Sequence, residues 1–97
     1  MPTHDELERF LREYDALDAT EQDRFLKAMK KMVNDLRAGH GYRAGLRVKG
    51  VQGHPGIYEM TWAPDGRATF NYGPEQIAGE IHVRWRRVGG HEILNNP

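Results

Sequence analysis

Arg84, Arg86 and Arg87 fall within one stretch of four residues, with His82 ahead of them and His91 behind. Arginine is the side chain suited to forked recognition of phosphate, and imidazole is the one that titrates near neutrality. The segment 81–88 alternates, so Ile81, Val83 and Trp85 share one face of a strand while His82, Arg84 and Arg86 share the other. Arg67 and Glu59 join the polar side by the same counting on neighbouring segments. Such a face can hold phosphate. It also has a plainer explanation, because antiparallel sheets often leave one face wet and laced with cross-strand pairs such as Glu59 with Arg67.

The elements that position these residues follow from the pattern. Tyr58, Met60 and Trp62 oppose Ile57, Glu59 and Thr61; Ala68, Phe70 and Tyr72 oppose Arg67, Thr69 and Asn71. Ala63-Pro64-Asp65-Gly66 between the two runs is a hairpin turn, with Pro presetting one turn residue and Gly accepting positive φ. Leu46 to Val51 reads as a further strand, and Gly89-Gly90 as a turn or bulge after the last one. Arg87 counts toward the apolar side by strict alternation unless a bulge frees it.

Ahead of this sheet, helical spacing dominates. Leu7, Phe10, Leu11 and Tyr14 form one stripe, and Thr3 with Glu6 matches a capping box for that helix. Asp18 and Glu21 match a second box before the stripe Phe25, Ala28, Met29, Met32, Val33 and Leu36, which Gly39 ends. No strand is read before Leu7. The expectation is an α+β domain: an N-terminal antiparallel helix pair packed on one face of a twisted antiparallel sheet of three to four strands. Residues 1–97 form one domain, with the helix pair over 1–40 and the antiparallel sheet over 45–94.

Composition narrows the function classes. The 97 residues carry 14 basic and 14 acidic side chains, so no whole-protein field points to nucleic acid or membrane. Residues 1–42 hold 7 basic and 9 acidic groups, and residues 43–97 hold 7 and 5. The absence of cysteine removes disulfides, thiolate nucleophiles and thiolate metal sites. No apolar run approaches the ~20 residues of a membrane span, and the acidic start lacks a signal-peptide core, so a cytoplasmic protein without a membrane partner is expected. His54, His82 and His91 show no ligand spacing, and Gly50-Val51-Gln52-Gly53 is not a phosphate loop; neither a metal nor a cofactor is expected.

The run Leu46-Arg47-Val48-Lys49-Gly50-Val51, then Gly53 to Trp62, resembles the RelE/ParE toxin superfamily, nearest its phage-derived RelE-like branch. Gly66-Arg67-Ala68-Thr69-Phe70 resembles the family's arginine-bearing strand, and Ile81 to Arg87 its last strand with the basic end. The resemblance extends over roughly residues 20–94. It implies a RelE-like fold and a toxin of a bacterial or phage toxin–antitoxin system, bound by a cognate antitoxin. The activity it implies is a metal-independent, ribosome-dependent mRNA endoribonuclease, with ribosome and mRNA as partners. The alternatives are a non-enzymatic ParE-like inhibitor of DNA gyrase and a non-toxic protein-binding module of the same fold.

Cleavage of RNA without a metal needs a base for the 2′-OH, an acid for the leaving 5′-oxygen and cations for the charged transition state. Glu59 is then the candidate base, or the partner that orients Arg67. His91 is the candidate acid, with His82 as its substitute. Arg67, Arg84 and Arg86 are candidates to hold the scissile phosphate. Arg47, Lys49 and Arg87 are candidates for flanking phosphates, with only one of Arg47 and Lys49 on a given face.

Overall fold

The computed structural model describes residues 2–97; Met1 lies outside the described residues. The chain runs β1 (Thr3–Glu6), α1 (Glu8–Ala16), α2 (Ala19–Ala38), β2 (Lys49–Gly50), β3 (Tyr58–Thr61), β4 (Gly66–Gly73) and β5 (His82–Gly90), with 3-10 turns at Ala44–Leu46 and His91–Asn95. The five strands form one sheet in the order β1-β5-β4-β3-β2. β1 is parallel to β5, and every other pairing is antiparallel.

The second helix begins and ends as its sequence dictates. The Asp18 carboxylate accepts from the Glu21 amide at 2.8 Å and the Glu21 side chain accepts from the Asp18 amide at 3.0 Å. Gly39 closes the helix in the left-handed region at φ 74°. Phe25, Ala28 and Met32 are buried, and the ring of Phe25 meets that of Trp85 edge-on at 5.3 Å between centroids. Phe10 from α1 completes the aromatic core, 5.6 Å from Phe25 and 6.0 Å from Trp85. Of the expected α1 stripe only Phe10 is buried; Leu7 and Leu11 are 36% and 47% exposed.

Four departures from the sequence expectation have identifiable causes. First, Thr3–Glu6 is a strand rather than a helix cap, so the sheet claims residues from the 1–40 segment and becomes mixed. The Leu7 amide, which a cap would have satisfied, donates to the Trp85 carbonyl at 2.9 Å. The edge of β5 thus meets the same backbone needs by pairing. Second, Leu46 to Val51 contributes only Lys49–Gly50 as strand, because Leu46 turns into the core within a 3-10 turn.

Third, Ile81 is 44% exposed and precedes β5 rather than extending its apolar face. Fourth, β5 carries a bulge: Phe70 faces Trp85 but Thr69 faces Arg87, leaving Arg86 as the extra residue. The bulge resets the alternation, so Trp85 and Val88 are both buried. Gly89 and Gly90 are the paired end of β5, opposite Arg67 and Gly66, rather than a turn.

Candidate active site

Strand register sets out a polar row on the sheet face away from the helices. Lys49 lies opposite Glu59, Glu59 opposite Thr69, and Thr69 opposite the Arg86–Arg87 bulge. Arg86 Nη1 donates to Asn71 Oδ1 at 3.1 Å, which holds its guanidinium over this face. Thr69 Oγ1 and Arg86 Nε are buried with no hydrogen-bond partner among the described residues. Unpaired buried donors are costly, and they mark a place where a ligand group or water completes the bonding.

The C-terminal turn closes the row. After Gly90 the chain enters the His91–Asn95 turn, pinned by Ile93, which is 1% exposed. A Cβ on Gly90 would lie 2.8 Å from Asp65 Oδ2, so glycine lets this turn pass close to the β3–β4 hairpin. A cleft of about 400 Å³ results, and Lys49, Gln52, Glu59, His91 and Leu94 line it. One cation, one carboxylate and one imidazole therefore converge on the same space. Gln52 and Leu94 were not singled out from the sequence, where nothing separates them from loop and tail residues.

Arg67 supports this cleft from the hairpin side. Its Nη1 donates toward the carbonyls of Ala63, Pro64 and Gly66 at 3.4, 3.3 and 3.0 Å. Its Nε stands 3.9 Å from Glu59 Oε1, an ion-pair distance rather than a hydrogen bond. Glu59 itself is only 6% exposed, so a cation at this distance offsets part of the cost of burying its charge.

The remaining candidates lie elsewhere. His82 and Arg84 sit at the β1 end of the sheet. His82 is buried, with Nδ1 2.7 Å from Thr3 Oγ1; its Nε2 is 3.2 Å from Asp5 Oδ1 but without hydrogen-bonding geometry. Arg84 donates from Nε and Nη2 to the two oxygens of Asp5 at 3.0 and 3.1 Å. That pairing outweighs a small desolvation cost and holds the exposed Asp5 carboxyl below its ordinary value of 3.8. Asp5 is thus a second carboxylate on the face where the sequence placed only Glu59, and β1 is what delivers it.

Arg87 braces the fold, donating to Glu13 of α1 at 2.7 Å and to the Asn96 carbonyl at 3.1 Å. Arg47 and Lys49 part company: Lys49 lines the cleft with Glu59, and Arg47 lines a separate one beside α2. Among the described residues, no three His, Asp or Glu side chains gather to hold a metal, and no helix is long and apolar enough to cross a membrane.

No protein-family model and no curated protein matches the chain. Solved structures do match it in fold. The YoeB/ParE toxin from Agrobacterium tumefaciens aligns at TM-score 0.68 and 11% identity over 92% of this chain and 98% of its own. A chain of the E. coli DinJ–YafQ toxin–antitoxin complex aligns at 0.63 and 15% over 96% of both chains. A chain of the intact E. coli RelBE toxin–antitoxin complex aligns at 0.60 and 22% over 93% of this chain and 96% of its own. The two helices on a five-stranded mixed sheet are the RelE/ParE-like toxin fold.

Proposed function

We propose that this chain is the toxin component of a bacterial or phage toxin–antitoxin system and that it acts as a metal-independent, ribosome-dependent mRNA endoribonuclease. The observation that carries the proposal is the convergence of Lys49, Glu59 and His91 on one cleft, with Arg67 beside Glu59. Glu59 takes the proton from a ribose 2′-OH, whose oxygen attacks the adjacent phosphorus. The 5′-oxygen leaves with a proton from His91. The products are a 2′,3′-cyclic phosphate and a 5′-hydroxyl. Lys49, which lines the cleft, faces the charge that builds on the phosphate, and Arg86, held over the same sheet face by Asn71, adds to the positive field there.

Arg67 has a positioning role in this scheme, since its Nη1 is committed to the hairpin carbonyls and its Nε faces Glu59. His82 and Arg84 hold β1 to β5 instead of reaching the cleft. A cognate antitoxin is the expected protein partner, in keeping with the toxin–antitoxin complexes among the similar structures.

Primer extension on an mRNA translated in a purified bacterial system tests the reading. Cuts that require ribosomes and disappear with Glu59→Gln support it. A folded protein that makes no cuts moves the assignment to a ParE-like gyrase inhibitor or a binding module, which a gyrase supercoiling assay separates.

A further inference from the structure

We propose that a second cleft, between α2, the Ala44–Leu46 turn and the β3–β4 hairpin, holds backbone phosphates of single-stranded RNA running on from the Lys49–Glu59–His91 cleft. The identity of the anion rests on the ribonuclease reading; the cleft itself does not. It has a volume of about 450 Å³, and Arg24, Lys27, Lys31, Arg43 and Arg47 all line it. Two of these cations are already paired, Lys27 with Asp23 at 2.8 Å and Arg43 with Asp35 at 2.9 Å. Arg24, Lys31 and Arg47 have no acidic partner among the described residues. In a protein of zero net charge this cleft gathers five cations, three of them without an acidic partner among the described residues.

The row of cations along α2 gives the site a linear anion as its ligand. Arg24, Lys27 and Lys31 recur at helical spacing along one face of α2, so Arg24 and Lys31 stand two turns, ~10.5 Å, apart. Such a row matches a repeating charge better than one compact ion. Arg47 is the one non-glycine residue with positive φ among the described residues, at 50°. Arg47 caps the C-terminal end of the Ala44–Leu46 turn, its N–H donating to the Ala44 carbonyl at 3.0 Å, and this cap conformation brings its side chain to the cleft. Trp62 also lines the cleft, and its buried indole N–H has no acceptor among the described residues.

Continuity decides between RNA and an acidic protein segment. Arg47 and Lys49 are separated only by Val48, at most ~7 Å of backbone, yet they open onto different clefts. A strand whose phosphodiester lies by Lys49 and Glu59 therefore crosses the short β2 edge and meets Arg47 next, then the α2 row. Of the two candidates, RNA alone offers the 2′-OH that the first cleft needs and the repeating phosphates that the second would hold.

The test is fluorescence anisotropy of a short single-stranded RNA with the full chain over a salt series. The proteins compared are wild type, Arg24→Gln/Lys31→Gln/Arg47→Gln and Glu59→Gln/His91→Gln. Each lost phosphate contact lowers the slope of log K against log salt by about 0.7, so the triple variant should lose about 2. The Glu59/His91 variant reads what the first cleft contributes to binding, and ribosome-dependent cuts by wild type, scored separately by primer extension, distinguish failure of the ribonuclease reading from failure of this one. Arg47→Gly removes the charge at a backbone position glycine adopts freely, and should lower the slope in a protein that stays folded. Wild-type protein that does not bind the RNA, or a triple variant with unchanged slope, overturns the proposal. So does a triple variant that loses only a poly-glutamate peptide, which would make the cleft a protein dock.

Discussion

Truncation of Ile93 tests how the candidate acid is held. Ile93 is 1% exposed and pins the His91–Asn95 turn against β4 and β5; a Cβ on Gly89 would lie 3.1 Å from its Cγ2. Ile93→Val should cost about 0.5–1.5 kcal/mol and Ile93→Ala about 2–5 kcal/mol. A domain of this length has a total stability of roughly 5–15 kcal/mol, so the alanine variant loses a large share of its margin and Ile93→Val serves as the milder companion. Urea unfolding followed by the fluorescence of buried Trp62 and Trp85 reads the global cost. Hydrogen exchange at the Asn96 amide, which donates to the Ile93 carbonyl at 3.1 Å, reads release of the turn itself. RNA cleavage should fall in Ile93→Ala, measured where the protein is folded, because His91 no longer faces Glu59 across the cleft. A midpoint shift worth less than about 0.5 kcal/mol, with Asn96 exchange unchanged, would refute the reasoning that this side chain docks the turn.

Other outcomes follow from single features. Asp18→Ala removes one half of the α2 capping box and should cost about 0.5–2 kcal/mol by urea titration. Gly66→Ala would place a Cβ 2.6 Å from the rigid Trp62 indole, so it should destabilise by at least about 1–3 kcal/mol; melting curves check it. Asp5 and Asp35 are both held below the ordinary 3.8, Asp5 first by its hydrogen bond with Arg84 and Asp35 first by that with Arg43. A depressed folded value stabilises above the unfolded one, and the gain is lost as pH falls through the folded value. Stability should therefore decline as pH drops below about 3.8, and Asp5→Asn should flatten that acid limb in pH-dependent melts.

The sequence was most readable where local chemistry and tertiary packing agree. For α2, the capping box, the apolar stripe and Gly39 all act within a few residues, and all appear in the fold. The β3–β4 hairpin was readable for the same reason. β1 was not, because Thr3–Glu6 is a polar edge strand: it has no apolar alternation, and T-x-x-E suits a helix cap equally well. Its existence depends on the free edge of β5, far away in sequence. The bulge at Arg86 was equally hidden, since an extra residue is defined only against its partner strand.

The same distinction runs through the site. Period-two counting placed Glu59, Thr69 and Arg86 on one face; the register pairs Glu59 with Thr69, while Arg86 stands out of register in the bulge and reaches that face through its bond to Asn71. It could not say which arginines were already engaged. Asp5 and Glu13 take Arg84 and Arg87, and both carboxylates come from the N-terminal segment whose placement only the tertiary fold reveals. Nor could it foresee that one backbone turn at Arg47 sends it and Lys49 to different clefts.

The central claim is that RNA is cut where Lys49, Glu59 and His91 converge, and single-turnover cleavage on translating ribosomes tests it most directly. Wild type, Glu59→Gln, His91→Gln and Arg84→Gln are compared after each is shown to be folded. General acid–base roles predict losses of ~10²–10⁴-fold for the first two variants, with cyclic phosphate ends in the wild-type products and a rate for Arg84→Gln close to wild type. Full activity in Glu59→Gln and His91→Gln, or a loss confined to Arg84→Gln, would contradict the account and move the chemistry to the β1 end of the sheet.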